Sequence, residues 1–271
     1  MKYIFFNKIK KISIHQYGHF LFLLGIFFLP STIVFGSGFI LIASIVGGFL
    51  TKKTYLKDNW NYPFLIFGIL ILLSSFLHNF YLFNSLDGLW DPKLSFIGLG
   101  NWLPFIWIFW ATQPYLNSKS KRRSFALVLI AGTYPVLITG FGQYFLNWTG
   151  PFEALNGLII WYQRPIESPG GLSGLFSNQN YAASWLNFVW PFCIALFLEK
   201  GKNLFKKTIA LSFLLSTGIA AILTFSRNAW LGLLTSVPII TGKKGVKIIL
   251  TLILLIILIS FFLFSPIFES D

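Results

Sequence analysis

Two arginines, Arg164 and Arg227, are the residues of this chain best suited to bind an anion. A guanidinium is permanently charged, and its planar N–H groups can hold two phosphate oxygens at once. Arg227 follows Ser226 in the segment Thr224–Trp230 (TFSRNAW), which leaves almost no loop between two apolar runs. We predict that Arg227 and Ser226 bind a phosphate-like anion. The alternative is that the Arg227 side chain only reaches from a helix end to the membrane surface.

A second group of polar residues lies in segment 148–180, which we predict to be the main external loop. Gln163 and Arg164 occupy its middle, and Asn178 and Asn180 lie where it leads into an apolar helix. Irregular, water-accessible backbone is where a membrane protein places polar function. We therefore add these four residues to the predicted substrate-binding site.

Several residues of this loop also have a purely structural interpretation, which the sequence leaves open. Arg164 can be a solvated loop charge, and Ser177 and Asn178 can cap the following helix through their side-chain oxygens. Trp161 and Tyr162 can belong to the aromatic belt at a membrane surface.

The composition indicates which elements must position these residues. Of the 271 residues, 55% are hydrophobic and only 11% are charged. A soluble globular protein carries roughly 25% charged residues, so this chain lacks the polar surface for water. The aromatic content of 19% excludes a disordered chain, and the single cysteine, Cys193, excludes a disulfide scaffold. We predict an all-α, polytopic transmembrane helical bundle forming a single domain over residues 1–271.

A transmembrane helix needs roughly 20 mostly apolar residues. About nine apolar runs approach this length, and a basic segment, 1–18, precedes or overlaps the first of them. The runs are Tyr17–Phe35, Phe39–Leu56, Tyr62–His78, Phe96–Leu116, Phe125–Trp148, Tyr181–Leu198, Thr208–Phe225, Asn228–Thr241 and Ile248–Pro266.

The positions of the basic residues predict the topology. Most of the 21 lysines and arginines fall into five clusters between apolar runs. If Gly36-Ser37-Gly38 forms a turn between the first two runs, nine crossings put all five clusters on one side. Because cytoplasmic loops are rich in Lys and Arg, we predict a cytoplasmic N-terminus and a periplasmic C-terminus.

The formal net charge of +13 does not indicate a nucleic-acid partner, since the cations follow topology and accompany no nucleic-acid-binding motif. The chain has no Cys/His spacing typical of a metal site and no nucleotide-binding motif. We therefore predict no metal, no cofactor and no nucleic acid, and we expect membrane lipids as partners.

Two segments resemble motifs of the O-antigen ligase and O-antigen polymerase superfamily. Gly174–Ala183 (GLFSNQNYAA) is similar to the family's G-x-F-x-N-P-N-x-x-A segment, and Thr224–Trp230 is similar to its T-x-S-R-x-A/G segment. Trp161–Arg164 (WYQR) resembles the arginine-bearing stretch of the preceding loop. These motifs lie within residues 160–232, and Gln179 stands where the family usually has proline.

The resemblance implies a multi-pass glycosyltransferase of the bacterial inner membrane, active at the periplasmic face. Its donor would be a glycan on undecaprenyl diphosphate, and its acceptor a hydroxyl on a lipid or another glycan. The transfer would be inverting and metal-independent, with arginines stabilising the leaving diphosphate.

The family's catalytic histidine lies in a large periplasmic loop after the helix that corresponds to the ninth run. This sequence ends at Asp271, where that loop would begin. We therefore expect no catalytic base among these residues, and expect either a piece of a split or longer protein or a protein without the activity. Two alternatives stay open: a bicarbonate-type anion transporter of the same superfamily, and a non-catalytic protein that binds polysaccharide lipids.

Overall fold

The computed structural model describes residues 2–51, 55–80, 92–167, 170–201 and 203–264, and most of these residues are helical. The α-helices are α1 (Lys2–Phe28), α2 (Ile33–Leu50), α3 (Asn61–Phe80), α4 (Pro92–Leu99), α5 (Leu103–Ala111), α6 (Lys119–Leu146), α7 (Gln179–Leu198), α8 (Leu204–Leu223), α9 (Arg227–Thr241) and α10 (Lys243–Phe264). Short 3-10 helices cover Tyr55–Lys57 and Gln113–Tyr115, and two strands, β1 (Phe152–Ala154) and β2 (Ile159–Trp161), lie between α6 and α7.

Six segments of the described chain are long and apolar enough to cross a membrane, which agrees with the predicted multi-pass class. They are Ile33–Leu50, Asn61–Asn79, Leu94–Ala111, Lys119–Leu146, Gln179–Leu198 and Leu204–Leu223. The apolar part of α1, Ile14–Phe28, is shorter, and α9 has 15 residues. The number of crossings, nine, stays a prediction.

The contacts group the residues into two compact units, although the sequence predicts a single domain. The first unit contains residues 1–29 and 33–128, and the second contains 30–32 and 129–271, so the boundary falls inside α6.

In the first unit, α1 and α2 pack together as the predicted helical hairpin, but the predicted position of the turn is wrong. The turn occupies residues 29–32, and Gly36-Ser37-Gly38 lies inside α2. Pro30 ends α1 because its ring cannot continue the helical hydrogen bonding. Ser37 stays helical, with its hydroxyl donating to the Ile33 carbonyl at 2.5 Å. A Cβ on Gly36 would lie 2.5 Å from the Leu29 Cα, so glycine here permits close packing and does not mark a turn.

The basic segment 1–18 is not separated from the first apolar run, since α1 continues unbroken from Lys2 to Phe28. The fourth apolar run, by contrast, is not one helix. It is interrupted between α4 and α5 at residues 100–102, where the Gly100 N–H donates to the Ile97 carbonyl, and Pro104 lies in the first turn of α5.

The second unit has its core where α6, α7, α8 and α9 pack together. The buried residues of this core are mostly small or branched, which lets the helices approach closely. They are Leu137, Leu172, Ala183, Leu186, Ala220, Ala221 and Ala229. One of them, Leu172, belongs to the loop before α7 and is fully buried, so this loop enters the helix bundle.

The loop between α6 and α7 also contains an antiparallel hairpin, which corrects the all-α prediction for segment 148–180. Phe152 pairs with Trp161 and Ala154 pairs with Ile159. The turn includes Asn156 and Gly157, both with positive φ, a combination that favours tight hairpins. The Trp161 indole N–H donates to the Ser31 carbonyl at 2.5 Å, which joins the hairpin to residues 30–32 of the same unit.

Candidate functional site

A buried glutamine of α6, Gln143, organises the loop that carries the predicted site. Its side-chain amide donates to the Arg164 carbonyl at 2.8 Å and to the Ser173 hydroxyl at 2.9 Å. Its side-chain oxygen accepts from the backbone N–H groups of Ser173 and Gly174, at 2.8 and 2.9 Å. One side chain therefore joins the Arg164 region to the segment that precedes α7.

The segment 170–174 lies against the C-terminal end of α8. The Leu172 backbone N–H donates to the Leu223 carbonyl at 2.8 Å. Gly171 contacts the Thr224 backbone so closely that any Cβ would overlap it. The backbone around the first family-like motif is thus held next to the start of the second.

Gln179, which replaces the proline usual in the resembling motif, has a structural contact of its own. Its side-chain oxygen accepts a short hydrogen bond from the Gly171 backbone N–H. The substitution therefore ties the start of α7 to the same segment that contacts α8.

The hinge between α8 and α9 consists of Thr224, Phe225 and Ser226. Phe225 has φ of 50°, a left-handed conformation that costs energy in a non-glycine residue and often marks a functional site. Thr224 and Ser226 are buried, and Ser226 occupies the N-cap position of α9 without a side-chain capping bond. Arg227 is the first residue of α9 and its side chain is exposed.

A contact between α7 and α9 fixes the first turn of α9. The Asn187 side-chain amide donates to the Asn228 carbonyl at 2.9 Å. The Asn187 carboxamide packs directly on Gly232, where any larger residue would collide with it. This contact holds the backbone immediately after Arg227.

The predicted site residues therefore divide into two groups. Arg164, Arg227 and Asn180 are exposed, and the Arg164 carbonyl is the group that Gln143 binds. Asn178 caps α7 by accepting from the Asn180 backbone N–H at 2.7 Å, as the structural alternative predicts, and its side chain is also exposed.

Gln163 has a different environment, because only 1% of its surface is exposed. Its amide donates to the carbonyls of Trp148 and Thr139, at 2.7 and 3.2 Å. In this arrangement Gln163 shapes the loop from inside, and a role in contacting substrate stays a prediction.

Sequence reasoning missed Gln143 and Asn187. Each is a carboxamide inside an apolar run, where a polar side chain is costly and therefore indicates a structural or functional role. The sequence shows the two carboxamides, but it does not show which groups they bind.

Among the described residues, no group of three His, Cys, Asp or Glu side chains lies close enough to hold a metal ion. The class that the structure supports is a mostly helical chain with several helices apolar enough to cross a membrane. One exposed arginine, Arg164, lies in the loop before α7, and the other, Arg227, begins α9. Comparisons with protein families, with curated proteins and with solved structures found no match for this chain.

Proposed function

We propose that this chain is a membrane-embedded glycosyltransferase-like protein of the O-antigen ligase and polymerase type. It binds a glycan carried on undecaprenyl diphosphate at the outer face of the bacterial inner membrane. The observation that carries this proposal is the Leu172–Leu223 hydrogen bond, because Leu172 lies just before Gly174–Ala183 and Leu223 just before Thr224–Trp230, the two segments that resemble the family.

In this proposal Arg227 is the main diphosphate ligand. Its position at the N-terminus of α9 adds the positive end of the helix dipole to the guanidinium charge, and both favour an anion. Arg164, whose backbone Gln143 holds, is the second cation. As the glycan leaves the diphosphate, these charges stabilise the developing negative charge on the leaving group. The acceptor is a hydroxyl of a lipid or glycan, and we assign no catalytic base to these residues.

Binding of undecaprenyl diphosphate to the full chain in dodecyl maltoside tests the role of Arg227. Arg227→Lys keeps the charge but loses the planar fork, so we expect the affinity to fall about tenfold. Arg227→Ala is expected to lower the affinity further. Native mass spectrometry measures both, with undecaprenyl monophosphate and undecaprenol as ligands that lack the diphosphate.

Arg123→Lys is the matched control, since Arg123 is also an exposed arginine near the start of a helix. It should bind undecaprenyl diphosphate like the unmodified chain. Wild-type affinity in both Arg227 variants would remove the diphosphate site and, with it, the main support for the proposed function.

A further inference from the structure

The first unit contains a cluster of nitrogen-bearing side chains that the proposed function does not use. His15 and His19 come from α1, and Lys121 comes from the first turn of α6. Both imidazoles lie beside the ring of Tyr115, with ring centroids 5.9 and 6.1 Å away. The Tyr115 hydroxyl is itself occupied, since it donates to the Ala43 carbonyl at 2.8 Å.

Lys121 lies at the centre of this cluster and is half-buried. Its ammonium donates to the Pro114 carbonyl at 2.8 Å and contacts the His15 Nε2 at 3.2 Å. An ammonium has only donors, so the His15 Nε2 accepts and the proton of the neutral ring is on Nδ1. The cluster therefore retains a third ammonium N–H and the His15 Nδ1–H as donors.

The partners of the Lys121 ammonium are the His15 ring and the Pro114 carbonyl, and none of its partners among the described residues is a carboxylate. The first turn of α6 also contains no acidic residue, and Lys119, Arg122 and Arg123 lie beside Lys121. A helix N-terminus carries a partial positive charge, so it disfavours cations and favours anions. The His19 Nε2, buried and without a hydrogen-bond partner among the described atoms, adds another unsatisfied nitrogen.

We propose that His15, His19 and Lys121 form a binding site for a phosphate group. A partly buried cation gains more from an anion than a fully solvated one, because the surrounding dielectric is lower. A phosphate offers several acceptor oxygens for the N–H groups that the cluster leaves unused. The predicted topology puts this basic end of α6 on the cytoplasmic side, where anionic phospholipids attract basic residues. The phosphate group belongs either to a lipid headgroup or to free inorganic phosphate.

Two probes distinguish these sources in the full chain, purified in dodecyl maltoside, which contains no phosphate. One probe is inorganic phosphate, compared with chloride at equal ionic strength. The other is phosphatidylglycerol, compared with diacylglycerol of the same acyl chains. Because a ligand of the folded state raises the Tm by mass action, the Tm as a function of probe concentration gives the affinity.

The test variant is Lys121→Gln, and the matched control is Arg122→Gln. Arg122 is a neighbouring exposed cation whose guanidinium donates to the Leu116 carbonyl at 3.0 Å. We expect Lys121→Gln to weaken binding of the phosphate-bearing probe about tenfold, and Arg122→Gln to change it less than twofold. His15→Gln, which retains a hydrogen-bonding amide, is the second test variant and is used if Lys121→Gln does not fold. It should also weaken binding of the phosphate-bearing probe.

Saturation by inorganic phosphate alone identifies a free-anion site, and a response confined to phosphatidylglycerol identifies a headgroup site. Equal weakening in Lys121→Gln and Arg122→Gln overturns the proposal, since it indicates binding to net charge. The absence of any response in the unmodified chain overturns it as well.

Discussion

Gln143 is a polar side chain inside a largely apolar helix, and both its amide hydrogens and both lone pairs of its oxygen are used. A buried carboxamide stabilises a fold only when these bonds are made, because unpaired polar groups are costly in an apolar medium. Three of its four bonds reach backbone groups of the loop between α6 and α7. The Gln143 side chain therefore binds backbone groups of this loop that a helix or strand would otherwise pair.

Replacing Gln143 with leucine tests this role. The change leaves the Arg164 carbonyl and the N–H groups of Ser173 and Gly174 without partners, so we expect a loss of about 2–4 kcal/mol in the free energy of unfolding. Gln143→Glu keeps an acceptor but loses both donors and buries a charge, and it should also destabilise the chain. Unfolding by SDS in mixed micelles measures both variants.

Gln16→Leu is the control for Gln143→Leu, because Gln16 is exposed on α1. Its stability should stay near that of the unmodified chain. If the two glutamine variants lose equal stability, Gln143 does not hold the loop.

The hairpin of β1 and β2 is the element that depends most on a single contact. Two short strands are marginally stable alone, so the hairpin requires attachment to the rest of the unit. The Trp161–Ser31 bond supplies one attachment, and the Gly150 N–H, which donates to the Gln163 carbonyl at 2.7 Å, closes the base.

Trp161→Phe removes the indole N–H and keeps an aromatic ring. We expect amide hydrogens of residues 152–161 to exchange up to about tenfold faster, as the loss of one hydrogen bond allows more frequent opening. Hydrogen-exchange mass spectrometry measures this rate. Tyr162→Phe is the control, because the Tyr162 side chain is 58% exposed and should leave the exchange rate unchanged. An unchanged rate in both variants contradicts the attachment.

The elements differ in how well the sequence predicted them. The runs Tyr181–Leu198 and Asn228–Thr241 lie within two residues of α7 and α9, because apolar length and capping residues are local signals. The prediction of a turn at Gly36-Ser37-Gly38 was wrong, since glycine favours close helix packing as well as turns. The hairpin was missed although Asn156-Gly157 is a turn signal, because the surrounding residues were interpreted only as loop.

The candidate site shows the same limit at the level of side chains. The exposure of Arg227 at the start of α9 agrees with its predicted position in a short hinge. The internal orientation of Gln163 did not follow from the sequence, because it depends on carbonyl groups of Trp148 and Thr139, distant along the chain. Local patterns identify a polar residue, but only packing decides whether it faces a ligand or the interior.

For the molecule as a whole, the arrangement of the second unit bears on the predicted topology. The Leu172–Leu223 bond puts the loop before α7 and the hinge before α9 at one end of these helices. A helix rises about 1.5 Å per residue. Since α7 has 20 residues and α9 has 15, the residues after α7 lie about 30 Å away and those after α9 about 22 Å away. Lys200 lies in the linker after α7, and Lys243 begins α10 directly after Gly242, so both lysines lie at the end opposite the candidate site.

Cysteine labelling tests this topology in cells, and Cys193, the single cysteine, is buried and can be replaced by alanine. Single cysteines at the exposed positions Asn156, Lys200 and Lys244 then show which end of these helices is accessible from outside the cell. We expect a membrane-impermeant maleimide to modify Asn156→Cys in intact cells, and Lys200→Cys and Lys244→Cys only after permeabilisation. The reason is that cytoplasmic loops retain lysine and arginine, whereas the proposed function requires the candidate site to face outward. Labelling of Lys200→Cys or Lys244→Cys together with Asn156→Cys in intact cells contradicts the orientation, and the cysteine-free chain controls for background.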